Sequence, residues 1–141
     1  LIVDRIVLDT NCFIASLSRK GQFYDIWKGL QEGKYILCVS TEIMLEYQEI
    51  IEQKTNASIA NNIIQVLLNS RFVLVKEPYF RMGLIDKDKD DNKFVDCAVA
   101  AQAIFIVSND KHYDVLKTIP FPKVDVVNIM EFLRYLKSIG Q

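Results

Sequence analysis

Acidic side chains near the ends of predicted strands and at the starts of predicted helices could form a site for a divalent cation. The candidates are Asp9, Glu46, Asp96 and Asp110. Carboxylates within a few ångströms of each other repel one another unless positive charge lies among them. Mg²⁺ suits such a site because it prefers oxygen ligands, and there it can activate a bound water and hold a phosphodiester for in-line attack. These residues therefore indicate metal-dependent phosphodiester hydrolysis.

The acids other than Asp96 also have an ordinary structural interpretation. Asp9 could serve only as a helix cap, and Asp110 stands in a Ser-Asn-Asp sequence that is typical of a turn. Glu46 shares one predicted helical face with Glu42 and Glu49, a stripe typical of solvated surface. Spacing alone does not choose between Glu42 and Glu46.

Asp96 is the most informative of the acids. It lies in a predicted helical stretch, residues 95–101, that is otherwise apolar. An unpaired carboxylate there would cost several kcal/mol, so Asp96 needs a partner, a cation or access to a cleft. Lys93 lies one turn earlier and is the evident basic partner on that helix. Asn92 shares the face of Asp96 at i+4, where it could bond to Asp96 or help to line a cleft.

Alternating strand and helix patterns predict the scaffold that positions these acids. Short apolar runs predict strands at residues 6–8, 35–39, 72–75, 104–107 and 124–127. Helical stretches are predicted at residues 11–18, 23–32, 41 to about 54, 57–69, 92–103 and 128–137. This alternation is typical of a three-layer α/β/α protein with a central, mostly parallel sheet of four or five strands. All the candidate acids are then expected at the edge where the strands end and the following helices begin.

Composition places the chain among globular proteins. Its 141 residues are 50% hydrophobic and 25% charged, with a formal net charge of -1. We expect one domain over residues 1–141, and the charge balance disfavours a strongly basic DNA-coating protein. The cysteines are far apart in apolar stretches and are interpreted as core filling. No apolar run approaches the length of a membrane span, so no membrane association and a cytoplasmic location are expected.

Four motifs of the chain together resemble the PIN domain family. They are Val7-Leu8-Asp9-Thr10-Asn11, Ser40-Thr41-Glu42-Ile43-Met44-Leu45-Glu46-Tyr47, Asp90-Asp91-Asn92-Lys93-Phe94-Val95-Asp96-Cys97-Ala98 and Ile106-Val107-Ser108-Asn109-Asp110-Lys111. Their order and spacing match the family over nearly the whole chain. The resemblance is closest to the VapC-like bacterial toxins of toxin–antitoxin systems.

The resemblance implies a function and a set of site residues. It implies a ribonuclease that binds Mg²⁺ or Mn²⁺, cuts single-stranded RNA, forms a homodimer and is silenced by a cognate antitoxin protein. The catalytic acids that it implies are Asp9, Glu46, Asp96 and Asp110, which selects Glu46 over Glu42. The metal ligands expected among them are Asp9, Asp96 and Asp110. The polar residues expected to support them are Thr10, Asn11, Asn92 and Ser108.

Basic and aromatic residues near the predicted site indicate how RNA would be held. An acidic centre needs positive neighbours to bind a phosphate backbone. The possible RNA contacts are Lys20, Lys93 and Lys111. Tyr79 and Phe80 could stack on a base, although anchoring their loop to the core is the favoured interpretation.

Several residues have alternative interpretations, and two other functions compete with the nuclease. Asp91 is favoured as a helix cap, Asp114 is an extra acid without an assigned role, and His112 has no evident partner that would make it a general base. A catalytically silent PIN-like module that binds RNA or protein is the main competing function, although the presence of all the candidate acids favours the nuclease. A phospho-acceptor domain of the receiver type lacks a convincing mid-chain Asp with a downstream Lys.

Overall fold

A parallel sheet forms the centre of the molecule. The computed structural model of the chain describes residues 3–85 and 89–139. In this part of the chain the strands are β1 (Arg5–Leu8), β2 (Ile36–Val39), β3 (Val73–Val75), β4 (Phe105–Val107) and β5 (Val126–Val127). They lie in the order β3-β2-β1-β4-β5, and every neighbouring pair is parallel. The predicted sheet is confirmed.

Helices flank this sheet and confirm the predicted α/β/α class. The α-helices are α1 (Thr10–Ala15), α2 (Tyr24–Gln31), α3 (Thr41–Lys54), α4 (Ala57–Asn69), α5 (Asn92–Ala101) and α6 (Ile129–Ile139). Helix α5 packs against β1, β2 and β4, while α3 packs against α1 and α4. Among the described residues, no helix is both long enough and apolar enough to cross a bilayer.

The predicted element boundaries differ from the observed ones by a few residues. The helix predicted at residues 11–18 is shorter, and the strand predicted at 124–127 contains only Val126–Val127. Two short 3₁₀ helices, Lys89–Asp91 and Lys111–Thr118, were not predicted. Residues 76–85 contain no α-helix or strand, and residues 86–88 lie outside the described part.

Side-chain caps fix where the helices begin. The Oδ1 atom of Asp9 accepts a hydrogen bond from the Cys12 N–H at 2.9 Å, which starts α1 directly after β1. Ser40 Oγ accepts from the Ile43 N–H at 3.2 Å and starts α3 directly after β2. Asn128 caps α6 in the same way, as predicted. Such caps satisfy backbone donors that the first turn of a helix leaves free.

The core joins α1 to α3 beneath the edge where the acids lie. The rings of Phe13 and Tyr47 are stacked with their centroids 4.2 Å apart, and both side chains are fully buried. The Tyr47 hydroxyl donates to the Leu8 carbonyl at the end of β1. The cysteines at positions 12, 38 and 97 are buried and form no disulfide, in agreement with their interpretation as core residues.

Candidate metal centre

The carboxyl ends of β1 and β4 bring Asp9 and Asp110 to the same place. These two strands are neighbours at the point where the strand order reverses, because β2 and β3 lie on one side of β1 and β4 and β5 lie on the other. In open parallel sheets, ligands bind outside the carboxyl ends of the strands at such a switch point. The Asp9 N–H donates to the Val107 carbonyl at 3.1 Å, which fixes the end of β1 beside β4.

Ser108 connects the two acids. It is buried, and its hydroxyl donates to Asp9 Oδ2. The hydroxyl oxygen of Ser108 also accepts a hydrogen bond from the Asp110 N–H at 3.0 Å. One hydroxyl thus orients the Asp9 carboxylate and the backbone that carries Asp110, which is the place expected of a supporting polar residue.

Asp91 is a further acid at this place. It occupies the N-cap position of α5, but its side chain makes no capping hydrogen bond. Asp91, Asp110 and His112 each offer one ligand atom, and these atoms lie within 4.8 Å of one another. His112 Nδ1 lies 3.1 Å from Asp110 Oδ1 and 3.9 Å from Asp91 Oδ2. Asp91 therefore occupies the predicted cap position without a capping hydrogen bond, and the expectation that His112 lacks a partner is wrong.

The buried hydroxyl of Tyr113 lies near the same acids. Burial raises the pKa of this phenol above its usual value, and the charges of Asp91, Asp9 and Asp110 raise the pKa further. The carboxylates of Asp9, Asp91 and Asp110 also line one cleft. Asp9, Asp91 and Asp110 form the acidic centre of the site.

Glu46 reaches this centre from α3. The Thr10 hydroxyl donates to Glu46 Oε2, and Lys93 Nζ lies 2.9 Å from Glu46 Oε1. The Lys93 side chain is only 10% exposed, so its ammonium group is held by Glu46. Lys93 therefore pairs with Glu46 and not with Asp96. Its contact with RNA stays a prediction.

Asp96 lies in a neighbouring groove instead of the acidic centre. It is buried, and its Oδ1 atom accepts the Met82 N–H at 3.1 Å. Burial raises its pKa, the Met82 N–H and Arg81 lower it, and Glu42 raises it. Asp96 lines this groove together with Glu46 and Asp90, and its role as a catalytic acid and metal ligand stays a prediction. Since α5 begins at Asn92, Asp96 lies more than one turn away from the edge of the sheet.

Asn92 holds the loop that precedes α5. Its side chain accepts the Ile85 N–H and donates to the Ile85 carbonyl, each at 2.9 Å, in place of the expected bond to Asp96. Ile85 is buried and anchors the loop, whereas Tyr79 and Phe80 are 81% and 72% exposed. The favoured interpretation of these aromatic residues as anchors is therefore wrong.

The other predicted residues are exposed. Asn11 is exposed and lines the cleft that contains Asp9 and Asp110. Lys20 and Lys111 are exposed, and Lys111 directly follows Asp110. Asp114 is exposed and lies 3.6 Å from Lys117, one turn later, an arrangement typical of a surface ion pair.

The cleft around the acidic centre is open and has a volume of about 570 Å³. Asp9, Glu46, Asp90, Asp91 and Asp110 all line it. Carboxylate oxygens close together are the ligands that Mg²⁺ and Mn²⁺ prefer. The residues present therefore fit a hard divalent cation.

Comparison with known families assigns the chain. Residues 5–112 match the sequence model described as "PIN domain". The chain belongs to the PIN domain family. PIN domains are generally nucleases, and the matched segment contains every acid of the centre. Comparison with curated proteins gives no match.

Solved structures with a similar fold include PIN domains in complexes. VapBC2 from Rickettsia felis, bound to a DNA fragment from its promoter, matches with a TM-score of 0.61 and 15% identity over 88% of this chain and 98% of that one. DNA-bound VapBC from Salmonella typhimurium matches with a TM-score of 0.60 and 13% identity over 91% and 99% of the two chains. The PIN domain of human SMG5 gives a TM-score of 0.51 and 12% identity over 93% and 97%. At these identities, the likeness shows the shared PIN fold.

Proposed function

We propose that this PIN domain is a metal-dependent endoribonuclease that hydrolyses phosphodiester bonds of single-stranded RNA. The observation that carries the proposal is the cleft at the ends of neighbouring parallel strands, which Asp9, Asp91 and Asp110 line together and in which ligand atoms of Asp91 and Asp110 lie within 4.8 Å of each other. Membership of a family of nucleases supports it. The proposed place of action is the cytoplasm.

The acids of the centre have separate proposed roles. Asp9, Asp91 and Asp110 would hold a Mg²⁺ or Mn²⁺ ion, with Asp91 in the role that sequence resemblance gave to Asp96. When bound, such an ion lowers the pKa of a water and polarises a phosphoryl oxygen. Glu46, oriented by Thr10 and Lys93, would accept a hydrogen bond from the attacking water.

Single-stranded RNA is the proposed substrate because the cleft is open and acidic. An open cleft admits a strand, and basic side chains outside the acidic centre would bind its phosphates. Lys20 and Lys111 are the proposed phosphate contacts, since both are exposed. The exposed rings of Tyr79 and Phe80 are available to stack on unpaired bases.

A cognate antitoxin is part of the proposal. The two bacterial structures of similar fold are VapBC toxin–antitoxin complexes, and the VapC-like motifs of this chain support the same kind of partner. The proposed role is the toxin of the pair. A homodimer is proposed from the family resemblance.

Asp9→Asn tests the proposed nuclease. Asn keeps the helix-capping oxygen but not the charge, so the fold should persist while cation binding is lost. We expect Mn²⁺-dependent cleavage of a single-stranded RNA to fall by at least about a hundredfold, since a catalytic metal supplies several kcal/mol. Gel assays with Mn²⁺, with Mg²⁺ and with excess EDTA measure this effect.

Asp114→Asn is the matched control for Asp9→Asn, because Asp114 is exposed and outside the acidic centre. It should keep the wild-type rate. Cleavage that continues in EDTA, or in the Asp9→Asn variant, would contradict the proposal. Binding of the cation and RNA without any cleavage would favour the catalytically silent module.

Ser108→Ala tests the bridge between Asp9 and Asp110. The hydroxyl bonds both residues, so its loss should leave the acids less well oriented. Groups that orient metal ligands typically contribute about 10–100-fold to metal affinity or activity. We expect a weaker affinity for Mn²⁺ by about that factor, measured by titration calorimetry. Ser138→Ala, at an exposed position of α6, should leave the affinity unchanged.

A further inference from the structure

Lys93 places a positive charge beside the acidic centre. Its side chain is only 10% exposed, and its ammonium nitrogen lies 2.9 Å from Glu46 Oε1. The same nitrogen donates to the Asp90 carbonyl at 2.5 Å and lies 5.3 Å from the centroid of the Phe94 ring. Two oxygen atoms and one ring face therefore surround a cation that belongs to the protein itself.

Basic side chains are divided unequally between the cleft of the acidic centre and the groove that contains Asp96. The groove is lined by Arg81 and Lys93, and Arg81 lies 3.6 Å from Glu42. Among the described residues, no lysine, arginine or histidine lines the cleft. Acids still outnumber bases in the groove. The position of the Lys93 ammonium, and not the sum of the charges, therefore decides where a cation can bind.

Glu46 is the acid beside which a second cation would have to lie. Its side chain lines both the cleft and the groove. In sites with two metal ions, the ions are about 3.5–4 Å apart, so a second ion would be a neighbour of the first. Both carboxylate oxygens of Glu46 already have partners, because Lys93 lies at Oε1 and the Thr10 hydroxyl donates to Oε2.

We propose that the Lys93 ammonium takes the place of a second metal ion, so that the chain binds one divalent cation, in the acidic centre. This inference rests on the proposed function. An ammonium group and a divalent cation repel each other, and here they would compete for the same oxygen of Glu46. Lys93 thus supplies the positive charge that a second ion would bring to Glu46, without taking a ligand from the first ion.

Lys93→Met tests this inference, because it removes the ammonium and keeps an unbranched stem. In titration calorimetry, we expect the wild type to bind about one Mn²⁺ ion per chain and Lys93→Met to bind about two, the second at the freed Glu46 carboxylate. Mn²⁺ should also raise the unfolding temperature of Lys93→Met more than that of the wild type, since two ions then bind the folded state. Lys93→Gln, which keeps a donor without the charge, gives the same test if Lys93→Met does not fold.

Lys34→Met is the matched control. It removes an ammonium from an exposed ion pair, 3.6 Å from Glu32, so it should still bind about one Mn²⁺ ion. A wild type that binds two Mn²⁺ ions, or a folded Lys93 variant that binds only one, would overturn the inference and leave the nuclease proposal intact. One bound Mn²⁺ ion without RNA cleavage would overturn the nuclease proposal alone. Absence of Mn²⁺ binding by the wild type would overturn both.

Discussion

Replacing Asp91 by asparagine is expected to lower the rate of Mn²⁺-dependent RNA cleavage by about a thousandfold. The same change at Asp96 should keep the rate within about tenfold of the wild type. A catalytic cation supplies several kcal/mol, and about 4 kcal/mol corresponds to a thousandfold change in rate. Asp91 lies with Asp110 and His112 in the proposed centre. Asp96 faces Met82 and Arg81 in the neighbouring groove.

The two variants form a matched pair, since both replace one carboxylate near the start of α5. Asparagine at position 96 can still accept the Met82 N–H through its side-chain oxygen, so the loop before α5 should stay in place. Initial rates over a range of Mn²⁺ concentrations, together with circular dichroism of both variants, measure the difference. A folded Asp96→Asn variant that is as inactive as Asp91→Asn would show that Asp96 acts in catalysis.

Truncation of Phe13 should give the largest loss of stability among the changes considered for this chain. Phe13 is fully buried on α1 and stacks on Tyr47 of α3, with the ring centroids 4.2 Å apart. Phe-to-Ala changes in cores typically cost about 3–5 kcal/mol. We expect a free energy of unfolding lower by that amount in urea titration. The acidic centre should lose order as well, because Asp9 and Glu46 are on the chain segments that this stack joins.

Phe121→Ala is the corresponding control, since Phe121 is 88% exposed. Surface changes of this kind usually alter stability by less than about 0.5 kcal/mol. A Phe13→Ala variant that unfolds at the same urea concentration as the wild type would show that the stack does not stabilise the fold.

The sequence patterns were sufficient to predict the parallel sheet and the place of two acids. Short apolar runs separated by helical stretches specify parallel strands; Asp9 directly follows β1, and Asp110 comes three residues after the end of β4. These residues are fixed by local sequence, because a residue that ends a strand lies at the carboxyl edge of the sheet. Element ends were less predictable, because caps and short 3₁₀ turns depend on single hydrogen bonds.

Asp91 lies with Asp110 at the start of α5 for a geometric reason. Each residue of a helix advances about 1.5 Å, so Asp96 lies about 7 Å further along the axis than Asp91. Only the first residues of α5 reach the edge where β1 and β4 end. The position of Asp91 directly before the helix was the available indication. The apolar surroundings of Asp96 correctly predicted that it needs partners, and the structure supplies them from the loop before α5.

The pairing of Lys93 with Glu46 could not be predicted from sequence. It depends on how α5 and α3 are oriented relative to each other, which neither helix determines by itself. The contact of His112 with Asp110 could not be predicted from sequence either, because it depends on the 3₁₀ helix Lys111–Thr118, which was not predicted.

In the ion pair of Lys93 and Glu46, the Lys93 ammonium group offsets one negative charge of the acidic cleft. Zinc fingers and similar small domains have no folded state without their metal, because the metal supplies the folding energy. This chain instead keeps its shape through the sheet and the stacked rings beneath it, with part of the negative charge already offset internally. Under the proposed function, chelation would remove the activity and leave the native fold in place, able to bind the ion again.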